Sequence, residues 1–202
     1  MTPFTMQGVV SEVAELIREM TPAGKAHVVG LSVGAAIGLE LIRRQPEIVE
    51  RAILSGTTPR MGSVMVLLSE LFYIPVLKLL PRERLATFVM KSGGIPESYR
   101  DNMLIDLQGL SPGLFRNINR AMSQVTLPEG KVPATLVLVG EKEPWISKRH
   151  AKAICSSAAG ATGKTVLGVG HAWNLEAPAL FNETIRAWLA DQPLPSALLD
   201  LK

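Results

Sequence analysis

The chain has 202 residues, 47% of them hydrophobic and 19% charged, which is enough to bury one core and leave room for a small inserted subdomain. Its net charge of +3 comes from scattered Lys and Arg side chains, which argues against the concentrated basic face of a nucleic-acid-binding protein. Cys155 is the only cysteine, and the opening residues MTPFTMQG lack the basic region and apolar core of a signal peptide, so we expect a cytoplasmic protein without disulfides.

Helical and strand patterns alternate along most of the chain. Residues 8–20 place apolar side chains on one helical face, residues 26–31 form an apolar run typical of a fully buried strand, and residues 33–45 return to a helical pattern. Later segments repeat this order, with strands predicted at 51–55, 134–139 and 164–168 and helices at 145–156 and 178–190. The alternation predicts an α/β fold with a mostly parallel sheet and flanking helices.

The alternation stops between residues 57 and 131, where the pattern is helical throughout. Residues 64–80 are the most apolar segment, but Pro75 and the charges within it favour a buried or cap helix, broken near that proline, over a membrane span. Gly93-Gly94 predicts a joint, and Ser111-Pro112 predicts a helix start. We therefore expect a core of residues 1–57 and 131–202, with residues 58–130 inserted as a helical cap.

A Gly-x-Ser-x-Gly motif, Gly30 to Gly34, joins the strand at 26–31 to the helix that follows it with almost no loop. Such a sharp turn strains the backbone of its central residue, Ser32, and projects the hydroxyl out of the sheet. The flanking glycines remove the Cβ atoms that would clash, and the start of the helix points free N–H groups at the serine. The context predicts a nucleophilic serine, whereas the motif alone would fit a structural turn.

Two further polar residues follow later strands, in the order acid and then histidine. Glu141 and Glu143 follow the strand at 134–139, and His171 lies in a glycine-bounded loop after the strand at 164–168. The carboxyl ends of parallel strands share one edge of the sheet, so these side chains are expected near Ser32. Of the other two histidines, His27 is expected in the core and His150 in solvent.

These segments resemble the α/β-hydrolase superfamily, in particular its small, cap-bearing, esterase-like members. The resemblance is carried by HVVGLSVGAAIGLELIRRQPEIVERAILSG, PATLVLVGEKEP and GVGHAWNLEAPALFNETIRAWL. It implies that Ser32 is the nucleophile, His171 the general base and Glu143 the acid of a triad that cleaves carboxylic esters through an acyl-enzyme. Aspartate is commoner than glutamate at the acid position, and Glu141 is the second candidate for that role.

The same resemblance implies that the fold is shortened at its N-terminus. The family has several strands before the helix that leads to the serine, and the connection after the third of them supplies half of the oxyanion hole. Here that helix begins near residue 6, which leaves the Val33 N–H as the single expected donor. The strand at 26–31 is then an edge strand, and we expect an upstream segment, a second subunit in a homodimer or a rearranged terminus to cover it.

The cap sequence also bears on the substrate. Apolar and aromatic side chains of the cap, Met61, Met65, Phe72 and Tyr73, together with Trp173, predict a small ester with an apolar acyl or aromatic group. We expect neither cofactor nor metal, and no nucleic-acid partner. Two alternatives stay open: a carbon–carbon bond hydrolase with the same triad, and a shortened, non-catalytic relative that acts by binding a partner.

Overall fold

The computed structural model describes residues 4–59 and 62–201, so Met61 lies outside the described residues. Strands and helices alternate as α1 (Met6–Met20), β1 (Ala26–Leu31), α2 (Val33–Arg44), β2 (Val49–Ser55), α3 (Ser63–Leu79), α4 (Arg82–Gly93), α5 (Arg100–Gly109), α6 (Pro112–Ser123), β3 (Gly130–Gly140), α7 (Trp145–Ser157), β4 (Ala158–Val166), α8 (Trp173–Glu176), α9 (Pro178–Leu189) and β5 (Leu198–Asp200). The predicted α/β architecture is confirmed.

The sheet has the strand order β1-β2-β3-β4-β5, in which the first four strands run parallel and β5 pairs antiparallel with β4. Leu31 lies opposite Ser55, and Ser55 lies opposite Leu138, so β1 and β2 end at the same level beside β3. This register brings the loops after the parallel strands to one edge of the sheet. The sequence analysis missed β5, a three-residue strand too short to show a pattern.

Two apolar clusters cover the two faces of the sheet. Leu54, Val137 and Val139 pack with α1, α2 and α7, whereas Ile53 and Leu136 pack with Trp173 and α9. Neighbouring residues along a strand therefore join different clusters, as the pleat of a strand requires. Burial on both faces explains why residues 52–54 of β2 and the second half of β3 are continuous apolar runs.

The edge strand β1 differs from its prediction. It was expected to be buried on both faces, but exposed and partly buried residues alternate along it, and His27 and Val29 face solvent. His27 therefore lies outside the core, where its Nε2 is 3.3 Å from a carboxylate oxygen of Glu50. In the part of the chain that the structure describes, no strand pairs with the outer side of β1. A cover for this edge stays a prediction.

Helices α3–α6 lie between β2 and β3 in the chain, and we call residues 62–123 the helical insertion. Helix α3 continues through Pro75, and most of its apolar side chains are exposed, so the predicted break at Pro75 and the buried alternative were wrong. The alternative of a cap helix stays a prediction. A proline on an exposed helix is tolerable because water can bond the carbonyl that it leaves free. Within residues 4–59 and 62–201, no helix is both long and apolar enough to cross a membrane.

Two turns of the helical insertion follow their sequence signals. Helix α4 ends at Gly93, and Gly94 adopts a left-handed conformation with φ +70° that suits glycine. Helix α6 begins at Pro112, where the Ser111 hydroxyl accepts a hydrogen bond from the Leu114 N–H at 3.1 Å. The predicted joint and the predicted helix start are therefore both present.

Candidate active site

Ser32 occupies the sharp turn between β1 and α2 and has an unusual backbone conformation, with φ 55° and ψ −118°. A Cβ on Gly30 would lie 2.5 Å from the Gly34 carbonyl oxygen, so this position accepts only glycine. A Cβ on Gly34 would meet no atom within 4 Å, so the close approach depends on the first glycine of the motif alone. Strain of this kind is held by the surrounding structure and is common at functional sites.

Helix α2 begins directly beside the Ser32 side chain. The Ala36 N–H donates to the Ser32 carbonyl at 3.1 Å, which is the first bond of the helical ladder. The N–H groups before it, including that of Val33, have no partner within the helix. They carry the positive end of the helix dipole and can stabilise an oxyanion formed at Ser32.

His171 and Glu143 meet above the ends of β3 and β4. Their Nδ1 and Oε2 atoms are 2.9 Å apart, and the other oxygen of Glu143 accepts a hydrogen bond from the Gly140 N–H at 2.9 Å. An ionised carboxylate can only accept, so Nδ1 carries the proton and Nε2 is free to take another. Glu141 instead accepts from the Gly168 N–H, so the structure pairs His171 with Glu143.

The contact shifts the pKa of both groups. Burial acts to raise the pKa of Glu143, which is 7% exposed, but hydrogen bonds from His171 and the Gly140 N–H outweigh burial and hold this pKa below its ordinary value. The hydrogen bond to Glu143 raises the pKa of His171 above its ordinary value, against the opposing effect of burial. Glu143 thus stays ionised and stabilises a protonated imidazole.

The end of β2 lies between the serine turn and the histidine loop. Gly56 has φ +64°, and a Cβ there would lie 2.6 Å from His171 Cε1 and 2.8 Å from Nδ1. The imidazole therefore lies against the backbone of Gly56, in space that any side chain would fill. The signal in the sequence was its place, since Gly56 directly follows the predicted strand at 51–55 at the carboxyl edge of the sheet.

Ser55, the residue before Gly56, forms hydrogen bonds with Ser32 on one side and with Trp173 on the other. Its carbonyl accepts from the Ser32 N–H at 2.9 Å, and its hydroxyl accepts from Trp173 Nε1 at 2.9 Å. Trp173 is fully buried and packs edge-to-face with Phe181, with ring centroids 4.7 Å apart. Trp173, predicted to bind substrate, therefore fills the core beneath the loop and has its donor satisfied, and its predicted role in binding stays a prediction.

The family whose sequence model is described as serine aminopeptidase, S33, matches residues 6–176, which is most of the chain. The chain belongs to this family of α/β-hydrolases. A relative described as an AB hydrolase superfamily protein, from Gibberella zeae, is 26% identical over 206 residues. That match takes in 96% of this chain, and the chain spans 66% of the relative's length.

Solved structures show the same fold at lower identity. A thermophilic esterase from Thermogutta terrifontis superposes with a TM-score of 0.74 at 20% identity, over 94% of this chain and 74% of the esterase. The enol-lactonase from Burkholderia xenovorans LB400 superposes with a TM-score of 0.69 at 20% identity, over 93% of this chain and 74% of the lactonase. The hydrolase fold therefore accounts for the parallel sheet and its helices.

A cavity of 390 Å³ opens beside His171. Its wall is formed by the loops after β2, β3 and β4 and by the end of α4, where Val89, Ser92 and Ile95 contribute. Met65, Phe72 and Tyr73 do not line it. Tyr73 packs instead against Phe72 and Phe115 inside the helical insertion, at ring centroid distances of 5.1 and 5.6 Å, so the predicted binding side chains lie elsewhere.

Three further observations concern polar groups in and around the site. Among the described residues, no hydrogen bond joins the Ser32 hydroxyl to His171, a contact that in many enzymes tightens only when substrate binds. No group of three or more His, Cys, Asp or Glu side chains in residues 4–59 and 62–201 could hold a metal ion. His150, expected in solvent, is partly buried, and burial lowers its pKa.

Proposed function

We propose that this hydrolase cleaves carboxylic esters or related acyl bonds, with Ser32 as the nucleophile, His171 as the general base and Glu143 as its carboxylate partner. The observation that carries the proposal is the 2.9 Å contact between His171 and Glu143 at the sheet edge where the strained Ser32 turn also lies. A buried carboxylate that orients an imidazole is the arrangement by which a neutral serine hydroxyl is activated.

The proposed reaction is acyl transfer in two steps. Ser32 Oγ attacks the ester carbonyl while His171 Nε2 takes its proton, and the alcohol then leaves with that proton. Water attacks the acyl-enzyme with His171 again as base, which releases the acid and restores the hydroxyl. Glu143 holds the proton on Nδ1 throughout, and the Val33 N–H donates to the oxyanion of each tetrahedral intermediate.

The names of two structural neighbours, an esterase and an enol-lactonase, support ester bonds as the target, since a lactone is a cyclic ester. Apolar side chains of Val89 and Ile95 in the cavity wall favour a small apolar acyl group. We further propose that residues 58–130 act as a cap over a core of residues 1–57 and 131–202, because the end of α4 forms part of that wall.

Labelling with a fluorophosphonate tests the proposal, because the probe reacts only with activated serines. We expect a single adduct at Ser32, located by mass spectrometry, and none in Ser32→Ala. Ser123→Ala is the matched control, since its hydroxyl bonds only a carbonyl of its own helix at 2.7 Å, and it should label like the wild type. The labelled wild type should also lose its hydrolysis of p-nitrophenyl esters in proportion to the adduct.

One observation favours a second function, in which the chain binds a partner without catalysis. The Ser32 hydroxyl lacks a hydrogen bond to His171 among the described residues, as an unused nucleophile would. In that case the wild type and Ser32→Ala would be equally unreactive with the probe. An intact fold by circular dichroism together with no adduct would replace the esterase proposal with the binding one.

A further inference from the structure

Glu176 contacts both loops that carry the histidine and its carboxylate. Its Oε2 accepts a hydrogen bond from the Gly170 N–H at 2.7 Å, and its Oε1 accepts from Lys142 Nζ at 2.8 Å. Gly170 directly precedes His171, and Lys142 directly precedes Glu143. One side chain therefore bridges the backbone beside the imidazole and the residue beside the acid.

The element that carries Glu176 is itself firmly placed. Helix α8 begins at Trp173, whose buried indole donates to Ser55 at the end of β2. The backbone joins the same loops, because the Lys142 N–H donates to the Val169 carbonyl at 2.9 Å. The Glu176 carboxylate thus has a defined position relative to the sheet, and it can transfer that position to the histidine loop.

The helical insertion reaches the same point. The Gly93 carbonyl at the end of α4 accepts from the Ala172 N–H at 3.1 Å, directly after His171. A Cβ on Gly94 would lie 3.4 Å from the Glu176 carboxylate, at van der Waals contact, so the end of α4 packs directly beside that side chain. His171 is therefore held from both sides along the chain, by Glu176 at Gly170 and by α4 at Ala172.

We infer that Glu176 is a positioning residue for the proposed hydrolysis, holding the Gly170–His171 backbone so that the imidazole keeps its contact with Glu143. This inference rests on the proposed function. The length of the Glu176 side chain matters most, because its carboxylate must extend to the Gly170 N–H. The charge of the carboxylate is secondary. A displacement of about 1 Å in a catalytic group can lower turnover by about 10²-fold, so a modest change in this bridge is measurable.

The effect of charge near His171 must be distinguished from the effect of the length of the Glu176 side chain. Glu143 contacts the ring, and Lys91, Lys142 and Glu176 line a 280 Å³ cavity together with His171. Removing the negative charge of Glu176 would by itself lower the pKa of His171, whatever the loop does. A test therefore needs one variant that keeps the charge but has a shorter side chain, and another that keeps the side-chain length but has no charge.

Two variants make that separation. Glu176→Asp keeps the charge but is one methylene too short to bond the Gly170 N–H, and Glu176→Gln keeps the length and an acceptor oxygen without the charge. Glu141→Asp is the matched control, because it makes the same shortening at a carboxylate that bonds the Gly168 N–H of the same loop at 2.8 Å. Melting temperatures establish that each variant folds.

Two measurements are made on each variant: the rate constant for fluorophosphonate labelling of Ser32, and the titration of His171 by proton NMR, assigned with His171→Gln. We expect Glu176→Asp to lower the labelling rate by about 10- to 100-fold and to move the His171 pKa down towards its ordinary value. Glu176→Gln should lower the labelling rate and the His171 pKa much less, and Glu141→Asp should match the wild type in both.

The opposite order, with Glu176→Gln impaired and Glu176→Asp like the wild type, would show that charge is what matters and would overturn the inference. If Glu176→Asp and Glu176→Gln both changed the labelling rate and the His171 pKa equally and only slightly, the inference would be overturned as well. Failure of the proposed function would give a different result, because the wild type would then not be labelled. The titration of His171 would still show whether Glu176 positions the imidazole.

Discussion

The loops at the carboxyl edge of the sheet and the helical insertion are held in different ways. The loops beside the site are hydrogen-bonded to one another, as when the Lys142 N–H donates to the Val169 carbonyl at 2.9 Å. Helix α3 of the insertion instead leaves Leu67, Leu68 and Leu71 more than half exposed. Among the described residues, the insertion is hydrogen-bonded to the loops at the end of α4, where the Ala172 N–H donates to the Gly93 carbonyl.

This difference determines where the molecule is sensitive. A loop positioned by the register of four parallel strands has no freedom to absorb a small change, so the change reaches the imidazole. An exposed helix face can change its side chains without altering that register. We therefore expect substitutions in the loops to alter activity strongly and substitutions on α3 to alter it little.

The largest effect is expected from Glu143→Gln, which keeps the size of the side chain but removes the charge that orients His171. Turnover should fall by about 10⁴-fold, as expected when the acid of a triad becomes an amide that cannot fix the tautomer. Glu141→Gln is the control and should retain activity, because Glu141 bonds the Gly168 N–H and not the imidazole.

The same variant predicts a shift in pH dependence. His171 must be neutral to act as a base, and Glu143 raises its pKa, so wild-type kcat/KM should increase with pH through a value above the ordinary 6.5. The residual activity of Glu143→Gln should increase at lower pH than that of the wild type. Coinciding profiles would show that His171 and Glu143 are not coupled in solution.

A smaller but still large effect is expected from Gly56→Ala, since the new Cβ would lie 2.6 Å from His171 Cε1 and displace the ring. Labelling of Ser32 should fall by about 10²-fold. Gly24→Ala is the matched control: Gly24 has φ +62°, but its added Cβ would meet no atom within 4 Å. Both variants should lose about 1–2 kcal/mol of stability to backbone strain, and only Gly56→Ala should lose the activity.

The loops were the part of the site that the sequence revealed best. The strand before Ser32, the helix after it and the later positions of Glu143 and His171 are local patterns, and a parallel sheet brings such positions to one edge without further information. The contact between His171 and Glu143 could thus be anticipated. The roles of Gly56 and Glu176 depend on distances between loops, which no spacing along the chain contains.

The helical insertion was predictable in its elements and not in its packing. Glycine and proline marked the ends of α4 and the start of α6, because their backbone preferences are local. Which face of α3 meets the site depends on how the helices dock, and apolar composition alone did not reveal that Phe72 points away from the cavity. The burial of Trp173 was not predictable for a related reason, since aromatic side chains fill cores and binding sites alike.

A stability effect is expected at the junction of the core and the helical insertion. Glu40 on α2 is fully buried, and its carboxylate accepts from the Thr126 N–H at 2.8 Å and from Arg43 and Arg44. Glu40→Gln should reduce the free energy of unfolding by about 1–3 kcal/mol, because the charged acceptor of these donors is lost. Urea unfolding measures this, with the exposed Glu12→Gln as a control near zero.

The pH dependence of that stability has a defined sign. Burial acts to raise the pKa of Glu40, but hydrogen bonds from Arg43, Thr126 and Arg44 outweigh it, so this pKa is lowered in the folded state. The stabilisation is present above the pKa of the unfolded chain and is lost as pH falls through the folded value. The difference between the wild type and Glu40→Gln should therefore shrink in acid, and a difference that stays constant would contradict this account.

The smallest expected effects are on KM, and they compare the cavity beside the loops with helix α3 of the insertion. Ile95, just beyond α4, lines the cavity beside His171, so Ile95→Ala should raise KM for an ester with an apolar acyl group by about tenfold, as a few buried methylene groups would. Phe72→Ala removes a larger side chain from α3, but Phe72 is 57% exposed and does not line the cavity, so KM should stay within experimental error. A raised KM in Phe72→Ala would mean that α3 closes over the substrate, and the site would then extend onto the exposed face of the insertion.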